Sequence, residues 1–431
     1  MSPNFIFMDK IIYNVTIVTQ NNKRVIINNG YIIFGQKIKK IGKGQPSYNL
    51  IKSMESTNLN GAIVFPGFIN SHIHLGESAY SNFINQNDQL FEYLAKTDKI
   101  FRHNKFIENS RNIINDYSLL LSTKAGTTTV CGGRIDESCS RWKIRNVSGF
   151  MLMKSSKLSK YYNQPKMLKE SLIAKDEMST PVIFIHSLNT ITSDKLKEIS
   201  LLNKGIKKGF KIIIHIAEHS SSEKSILKKW GKKSIDILAE HGLLSEKTIL
   251  IHGNWLDNKD LLIIKKTKAN LVHCLSSNLI IDDAILNLPN LLKNKISFCL
   301  GTDGLATSGN LDILAEAKIV YLFNKLNQKI TPQKIFDLIT IEAAKVLGLD
   351  KKIGSIELNK MADFSIIRNL HRSYVPKNNL LFKTLINSHE RQITDVIING
   401  QWIIKSQKLK NGLKEDKIIG NFLKLLQKIK I

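Results

Sequence analysis

The strongest constraint on the fold is a rhythm. Eight short apolar runs of strand length recur between residues 67 and 349, separated by longer lysine-rich segments of helical character. They are Phe68–Ile73, Thr127–Cys131, Gly149–Met153, Pro181–His186, Lys211–Ile216, Thr248–His252, Asn270–Cys274 and Ile296–Gly301. Continuous hydrophobicity, as opposed to alternation, marks strands covered on both faces, the situation of a parallel sheet. Eight such strands joined by helical crossovers read as an α/β fold, a (β/α)8 TIM barrel.

The ends of the chain have a different texture. Ile11–Val18, Arg24–Ile27, Tyr31–Phe34 and Lys37–Ile41 are β-type runs broken by Gln20-Asn21-Asn22-Lys23, Asn28-Asn29-Gly30 and Gly35-Gln36, the turn signals of hairpins. The same texture returns at Ala362–Ile367 and Asp395–Ile404, with Asn399-Gly400 as a turn. Residues 1–65 and 351–410 are therefore expected to meet in one small β-sandwich domain formed by both termini, with residues 66–350 as the barrel. Residues 411–431 read as a C-terminal amphipathic helix, since Phe422, Leu425, Leu426 and Ile429 share a face with lysines opposite.

Composition narrows the partners. Lys and Arg total 63 against 36 Asp and Glu, a formal charge of +27. The lysines lie scattered among Ile and Asn, without the arginines, interleaved aromatics or module of a nucleic-acid binder, so solvated faces are the expectation. A scaffold or polyanion-binding protein is the non-enzyme alternative. No run of about 18 uncharged apolar residues predicts a membrane span. Residues 1–10 lack the apolar stretch of a signal peptide, and the four cysteines form no C-x-x-C pair, so a reducing, cytoplasmic compartment is expected.

The chemistry sits where these runs end. His72 and His74 close the first run, His186 the fourth, His215 the fifth (with Glu218 three residues on) and His252 the sixth. His273 lies near the end of the seventh, and Asp303 follows the eighth. A barrel collects the carboxyl ends of its strands on one face. His72 and His74, two apart on a strand, point the same way and can share one ion, with His215 and Asp303 adding a nitrogen and an oxygen. Three imidazoles and a carboxylate suit one divalent metal ion, Zn2+ or alternatively Fe2+. Such an ion lowers the pKa of a bound water towards about 7. Polar groups left unpaired among Ile, Val and Leu cost several kcal/mol each, so a stability role is a poor account of them. His103, His219, His241, His371 and His389 read as structural or solvent-facing.

Five motifs carry a resemblance: Pro66-Gly67-Phe68-Ile69-Asn70-Ser71-His72-Ile73-His74-Leu75, His215-Ile216-Ala217-Glu218, Ile251-His252-Gly253, His273-Cys274-Leu275-Ser276-Ser277-Asn278 and Gly301-Thr302-Asp303-Gly304. In this order they resemble the amidohydrolase superfamily, and within it the deaminase and chlorohydrolase branch. The resemblance implies His72, His74, His215 and Asp303 as metal ligands, Glu218 as proton shuttle, His252 as the group orienting the nucleophile, and Asp303 as a second proton acceptor. Lysine is absent from Pro181–His186, where two-metal relatives carry a bridging carbamylated lysine, which implies a mononuclear site. Glu77, Tyr80, Glu92, His186, His273, Ser276 and Asn278 are the candidate substrate contacts. The implied activity is hydrolytic deamination of an aminated purine, pyrimidine or nucleoside-type small molecule. Displacement of chloride or alkylamine from a triazine-like ring is the alternative, and homodimerisation is the family's habit. Leu275, where the family usually has proline, and the segment Gly76–Asn82 depart from the pattern around the expected pocket.

Overall fold

The computed structural model describes residues 9–85, 88–133, 137–149, 151–154, 172–174, 176–206, 209–325, 330–368, 379–387 and 393–430. Branched side chains favour a pleated surface over a helix, and isoleucine-rich runs form most of the strands. Four of these, β1 (Lys10–Val18), β2 (Ile26–Phe34), β3 (Ile38–Lys43) and β4 (Glu55–Pro66), precede the barrel. The barrel begins with β5 (Phe68–His74), β6 (Thr127–Gly133), and β7 (Arg145–Gly149) continued by β8 (Met151–Leu152). Its fourth stave is split into β9 (Ser179–Pro181) and β10 (Ile183–Ile185), followed by β11 (Ile212–Ile216), β12 (Thr248–His252) and β13 (Asn270–His273). The eighth is split into β14 (Phe298–Leu300) and β15 (Asp303–Gly304). Neighbours pair in parallel, and β15 returns to β5 with Asp303 opposite Ile73, which closes the ring.

The remaining strands, β16 (Phe364–Ile367), β17 (Ile393–Ile398), β18 (Gln401–Lys405) and β19 (Lys408–Leu409), join β1–β4 in one eight-stranded sheet of order β19-β18-β17-β16-β4-β1-β2-β3. The sheet curls over its own apolar face. Phe34 on β2 and Phe364 on β16, three positions apart in that order, meet edge to face with centroids 5.4 Å apart. A buried Arg145–Asp363 pair (3.1 Å) ties this sheet to β7 of the barrel.

Two expectations are corrected. Asn28-Asn29-Gly30 is not a turn but runs inside β2, where a register shift accommodates Asn29 at φ +50°. A Cβ on Gly30 would lie 2.8 Å from Ile17 Cδ1 and 2.9 Å from the Gly42 carbonyl, so this glycine permits close packing and makes no bend. The third barrel strand begins at Arg145, ahead of the expected Gly149–Met153. Its buried Asn146 and Ser148 bond each other (2.8 Å), so polar residues that look unlike a strand core are satisfied inside one.

Side chains alternate as the pleat requires. Ile213, Ile249, Ile251, Val272 and Cys299 fill the barrel, while Ile212, Ile214, Leu250, Leu271 and Leu300 face the helices. Helix Ile341–Val346 adds Ala343, Ala344 and Val346 to the interior cluster near the amino end of β5, where the Ile69 N–H donates to the Ile339 carbonyl (2.8 Å). The opposite end stays polar. Helix Glu415–Leu426 docks Ile418, Phe422 and Leu425 inward, and Phe422 stacks on Tyr117 of helix Arg111–Lys124 with centroids 3.9 Å apart. No helix among the described residues is long and apolar enough to cross a membrane.

Candidate metal centre

Local backbone departures aim the functional groups. Ile69 faces the barrel interior, and a strict two-residue period would then turn His72 outward. A register shift between Asn70 and Ile73 reverses the parity, so that Ile73 faces out and both histidines face the mouth. Asn70 and Thr302 then lock β5 to the eighth stave by a reciprocal pair of hydrogen bonds, 2.8 and 3.1 Å. Three non-glycine residues at the rim take left-handed backbone: Ala217 (φ +47°), His252 (+70°) and Asp303 (+63°). Such conformations cost about 1–3 kcal/mol each and gather where function demands a particular direction. They re-aim Glu218, His252 and Asp303 at the point where the strands end.

The result is a tight donor cluster. His72 Nε2 lies 3.2 Å from His215 Nε2 and 3.2 Å from Asp303 Oδ1; His74 Nε2 lies 3.3 Å from each of the same two atoms. These are four of the six edges of the donor tetrahedron, and a regular tetrahedron of such edges has its centre about 2.0 Å from each corner, the ordinary zinc–nitrogen distance. The orientation is fixed from outside. His215 Nδ1 donates to the His186 carbonyl (2.7 Å), which leaves its Nε2 a bare lone pair aimed at the other rings. Asp303 Oδ2 accepts from Ser277 Oγ (2.6 Å) and Thr307 Oγ1 (3.1 Å), so Oδ1 is the oxygen turned inward, and it makes no hydrogen bond.

Electrostatics agrees with a cation there. Burial, reinforced by the neighbouring rings, holds His215 well below the usual histidine range and lowers His72 to about 4, so both are neutral donors at pH 7. His74 moves the other way, because the carboxylates of Glu77, Asp303 and Glu218 outweigh its burial. Burial would raise Asp303, yet His72 and His74 keep it ionised, well below the usual carboxylate range. The neutral rings of His72 and His215 and the ionised Asp303 turn lone pairs towards one point, where a positive charge is favoured. The donor set therefore fits a divalent ion.

Glu218 lies beside this cluster, its Oε1 3.5 Å from His252 Nε2. Burial and the nearby Asp303 charge raise its pKa above the ordinary glutamate value. Behind His252, the Asn278 side-chain amide lies 2.9 Å from Nδ1. A narrow cleft of about 90 Å³ runs over His215, Glu218, His252 and Asp303. It opens past His74 and Glu77 into a cavity of about 400 Å³ lined by Tyr80, Tyr93, Phe101, Arg111, Met151 and His186.

Of the expected substrate contacts, Glu77, Tyr80 and His186 line this space. Burial pushes Glu77 up to about 7 and His186 down to about 4. A Cβ on Gly304 would lie 1.9 Å from Glu77 Oε2, so a side chain there would displace the carboxyl. Four expected contacts are corrected. Glu92 is exposed on helix Leu90–His103; one residue on, a rotation of about 100°, Tyr93 takes the buried, mouth-facing position. Ser276 turns away to donate through both N–H (3.1 Å) and Oγ to the buried Glu316. His273 is fully buried below the rim, with both ring nitrogens unpartnered and burial lowering it to about 3. Asn278 acts on His252 from behind and does not line the cleft. His371 and His389 lie outside the described residues.

Ser277, Thr307, Tyr93, Arg111, Asn254 and Asp282 were not expected at the site. A signal existed for two of them: Ser277 lies inside one of the five motifs, and Thr307 stands one helical turn after Asp303. Asn254 Nδ2 donates to the Glu218 carbonyl (3.0 Å) and to Asp282 Oδ2 (2.9 Å). Burial and the charges of Glu218 and Asp303 push Asp282 up to about 10.

A barrel mouth of three imidazoles, one carboxylate and an adjacent buried acid defines a metal-dependent hydrolase, and the chain belongs to the amidohydrolase family, whose profile matches residues 63–403. It is similar to the 5-methylthioadenosine/S-adenosylhomocysteine deaminase of Clostridium tetani, 25% identical over 440 residues that cover 98% of this chain and 99% of the relative. Among solved structures it is similar to an adenosine deaminase from Xanthomonas campestris with bound zinc, with a TM-score of 0.87, 18% identity and 98% of each chain covered. It is also similar to an atrazine chlorohydrolase from Arthrobacter aurescens complexed with zinc, with a TM-score of 0.84, 18% identity, and 97% and 100% covered. At such identities the two structures establish the fold.

Proposed function

We propose that the protein is a metal-dependent deaminase that removes the amine from a purine, pyrimidine or nucleoside-type ring and releases ammonia. One observation carries the reading: His74, His215 and Asp303 line the same cleft as the half-buried Glu218, with His72 packed directly beneath them, its Nε2 3.2 Å from both His215 Nε2 and Asp303 Oδ1. A divalent ion held by those four residues, zinc in preference to iron(II), would polarise a water and lower its pKa towards neutrality. Zinc is preferred because the donor spacing suits it and because both solved structures described above carry zinc.

The chain's own groups supply the proton movements. Glu218, whose pKa is raised by burial, donates from its carboxyl to the ring nitrogen beside the amine-bearing carbon. Asp303 Oδ1 accepts the proton of the attacking water, and Ser277 and Thr307 hold that carboxylate in place. His252, steadied by Asn278, faces Glu218 and orients the nucleophile at the carbon. Asp303 then passes its proton to the departing amine while Glu218 takes the proton of the new hydroxyl as it becomes a carbonyl, so that ammonia leaves and both acids are restored. Glu77, Tyr80 and His186 contact the ring or its substituent. The four cysteines, all buried thiols, support a reducing compartment, the cytoplasm.

Glu218→Gln tests the reading. Loaded with a single equivalent of zinc, the variant should retain one ion per chain and lose about 10²–10⁴-fold in turnover. Ammonia release is followed over a panel of purine, pterin and triazine substrates. Full turnover in the variant refutes the assigned proton carrier. Chloride or alkylamine release without ammonia would replace deamination by displacement.

A further inference from the structure

Beside the four expected ligands lies a second donor group. Glu218, His252 and Asp282 each offer one ligand atom, and these atoms lie within 4.8 Å of one another. Two carboxylates and an imidazole form a donor set that takes zinc-like ions. The members come from three places: the loop after β11, the end of β12, and the residue closing helix Leu275–Ile281. Asn254 holds two of them together, bonding both the Glu218 backbone and the Asp282 carboxylate.

Independent of the acids, the polar atoms here lack partners. His252 is 1% exposed, and its Nε2, aimed at Glu218 Oε1 from 3.5 Å, makes no hydrogen bond. Asp282 Oδ1 is likewise buried without a partner. Orphaned buried groups are costly, and each is expected to have a use. The neighbouring Asp283 makes the contrast: its Oδ2 accepts from Ser220 Oγ (2.6 Å) and its Oδ1 from Trp255 Nε1 (2.8 Å).

We propose that Glu218, His252 and Asp282 form a second, weaker divalent-cation site whose occupancy blocks turnover by engaging the two groups assigned above to proton transfer and nucleophile orientation. The inhibition half rests on the proposed function; the binding half does not. Zinc titrated into the metal-free chain, with stoichiometry read by equilibrium dialysis and calorimetry, should bind as a tight first equivalent and a weaker second. Asp282→Asn, nearly isosteric, should keep the first equivalent and lose the second, whereas Asp283→Asn should keep both. In turnover assays, excess zinc should inhibit the native chain, and Asp282→Asn should raise the inhibiting concentration by at least about tenfold, a scale reached even by residues outside the ligand set. A single equivalent in the native chain overturns the site, and so does a second equivalent that survives Asp282→Asn. A second equivalent that is lost in Asp282→Asn but does not slow the native enzyme upholds the site and removes Glu218 from the catalytic reading. Retention of the first equivalent in Asp282→Asn reports that the variant is folded.

Discussion

Ser277→Ala probes the metal centre at a residue that is not itself a ligand. Its hydroxyl is fully buried and donates to Asp303 Oδ2 at 2.6 Å, shorter than the 3.1 Å bond from Thr307. A hydrogen bond to a charged acceptor contributes about 1.5–3 kcal/mol. Thr307 remains in the variant and continues to hold the same oxygen, so the loss should fall in the lower half of that range. At about 1.4 kcal/mol per decade, zinc affinity should weaken by about 10–40-fold. That agrees with the 10–100-fold typical of partners that orient metal ligands. Competition against a chromophoric chelator measures the affinity, and circular dichroism checks folding. Thr307→Val should cost less than Ser277→Ala, and the double variant more than either. Unchanged zinc affinity in a folded Ser277→Ala chain would refute the argument that this hydroxyl turns Oδ1 towards the histidines.

Two further predictions concern stability. Burial raises Glu316 from 4.5 to about 7, so its stabilising contribution is fully present below about pH 4.5 and is lost as pH rises through 7. Glu316→Gln should flatten this part of the stability–pH curve by up to about 3 kcal/mol between pH 4.5 and 8, read by urea denaturation; an unchanged slope would contradict the shift. Phe422→Ala removes a side chain only 3% exposed, stacked on Tyr117. It should lower unfolding stability by about 3–5 kcal/mol, and a loss below about 1 kcal/mol would mean that the terminal helix is not docked on its neighbour.

The residues gathered at the rim were legible because a parallel barrel turns position along the chain into position in space. A group at the carboxyl end of any of its strands arrives at the same rim. His72, His74, His215 and Asp303 needed no knowledge of distances, only of which runs are strands and where each one stops. Glu92 shows where such reading fails. The rotation of helix Leu90–His103 about its own axis is set by the packing of Leu90, Tyr93 and Ile100, which puts Tyr93 at the mouth and Glu92 in solvent. Ser276 failed for a related reason: its partner Glu316 lies 40 residues away on another helix, with no local signal joining them.

The amino-acid order by itself determined the periodicity, and with it the barrel, the sheet of both termini and the identity of the groups gathered at the rim. These follow from local rules, chiefly which faces must leave water and where an apolar run ends. Only the folded molecule decided direction: the shifted register that turns His72 inward, the left-handed backbone at Ala217, His252 and Asp303, and the hydroxyls that select one oxygen of Asp303. Orientation at that scale depends on bonds between segments distant in sequence, each supplying a few kcal/mol, and short-range patterns carry no record of them.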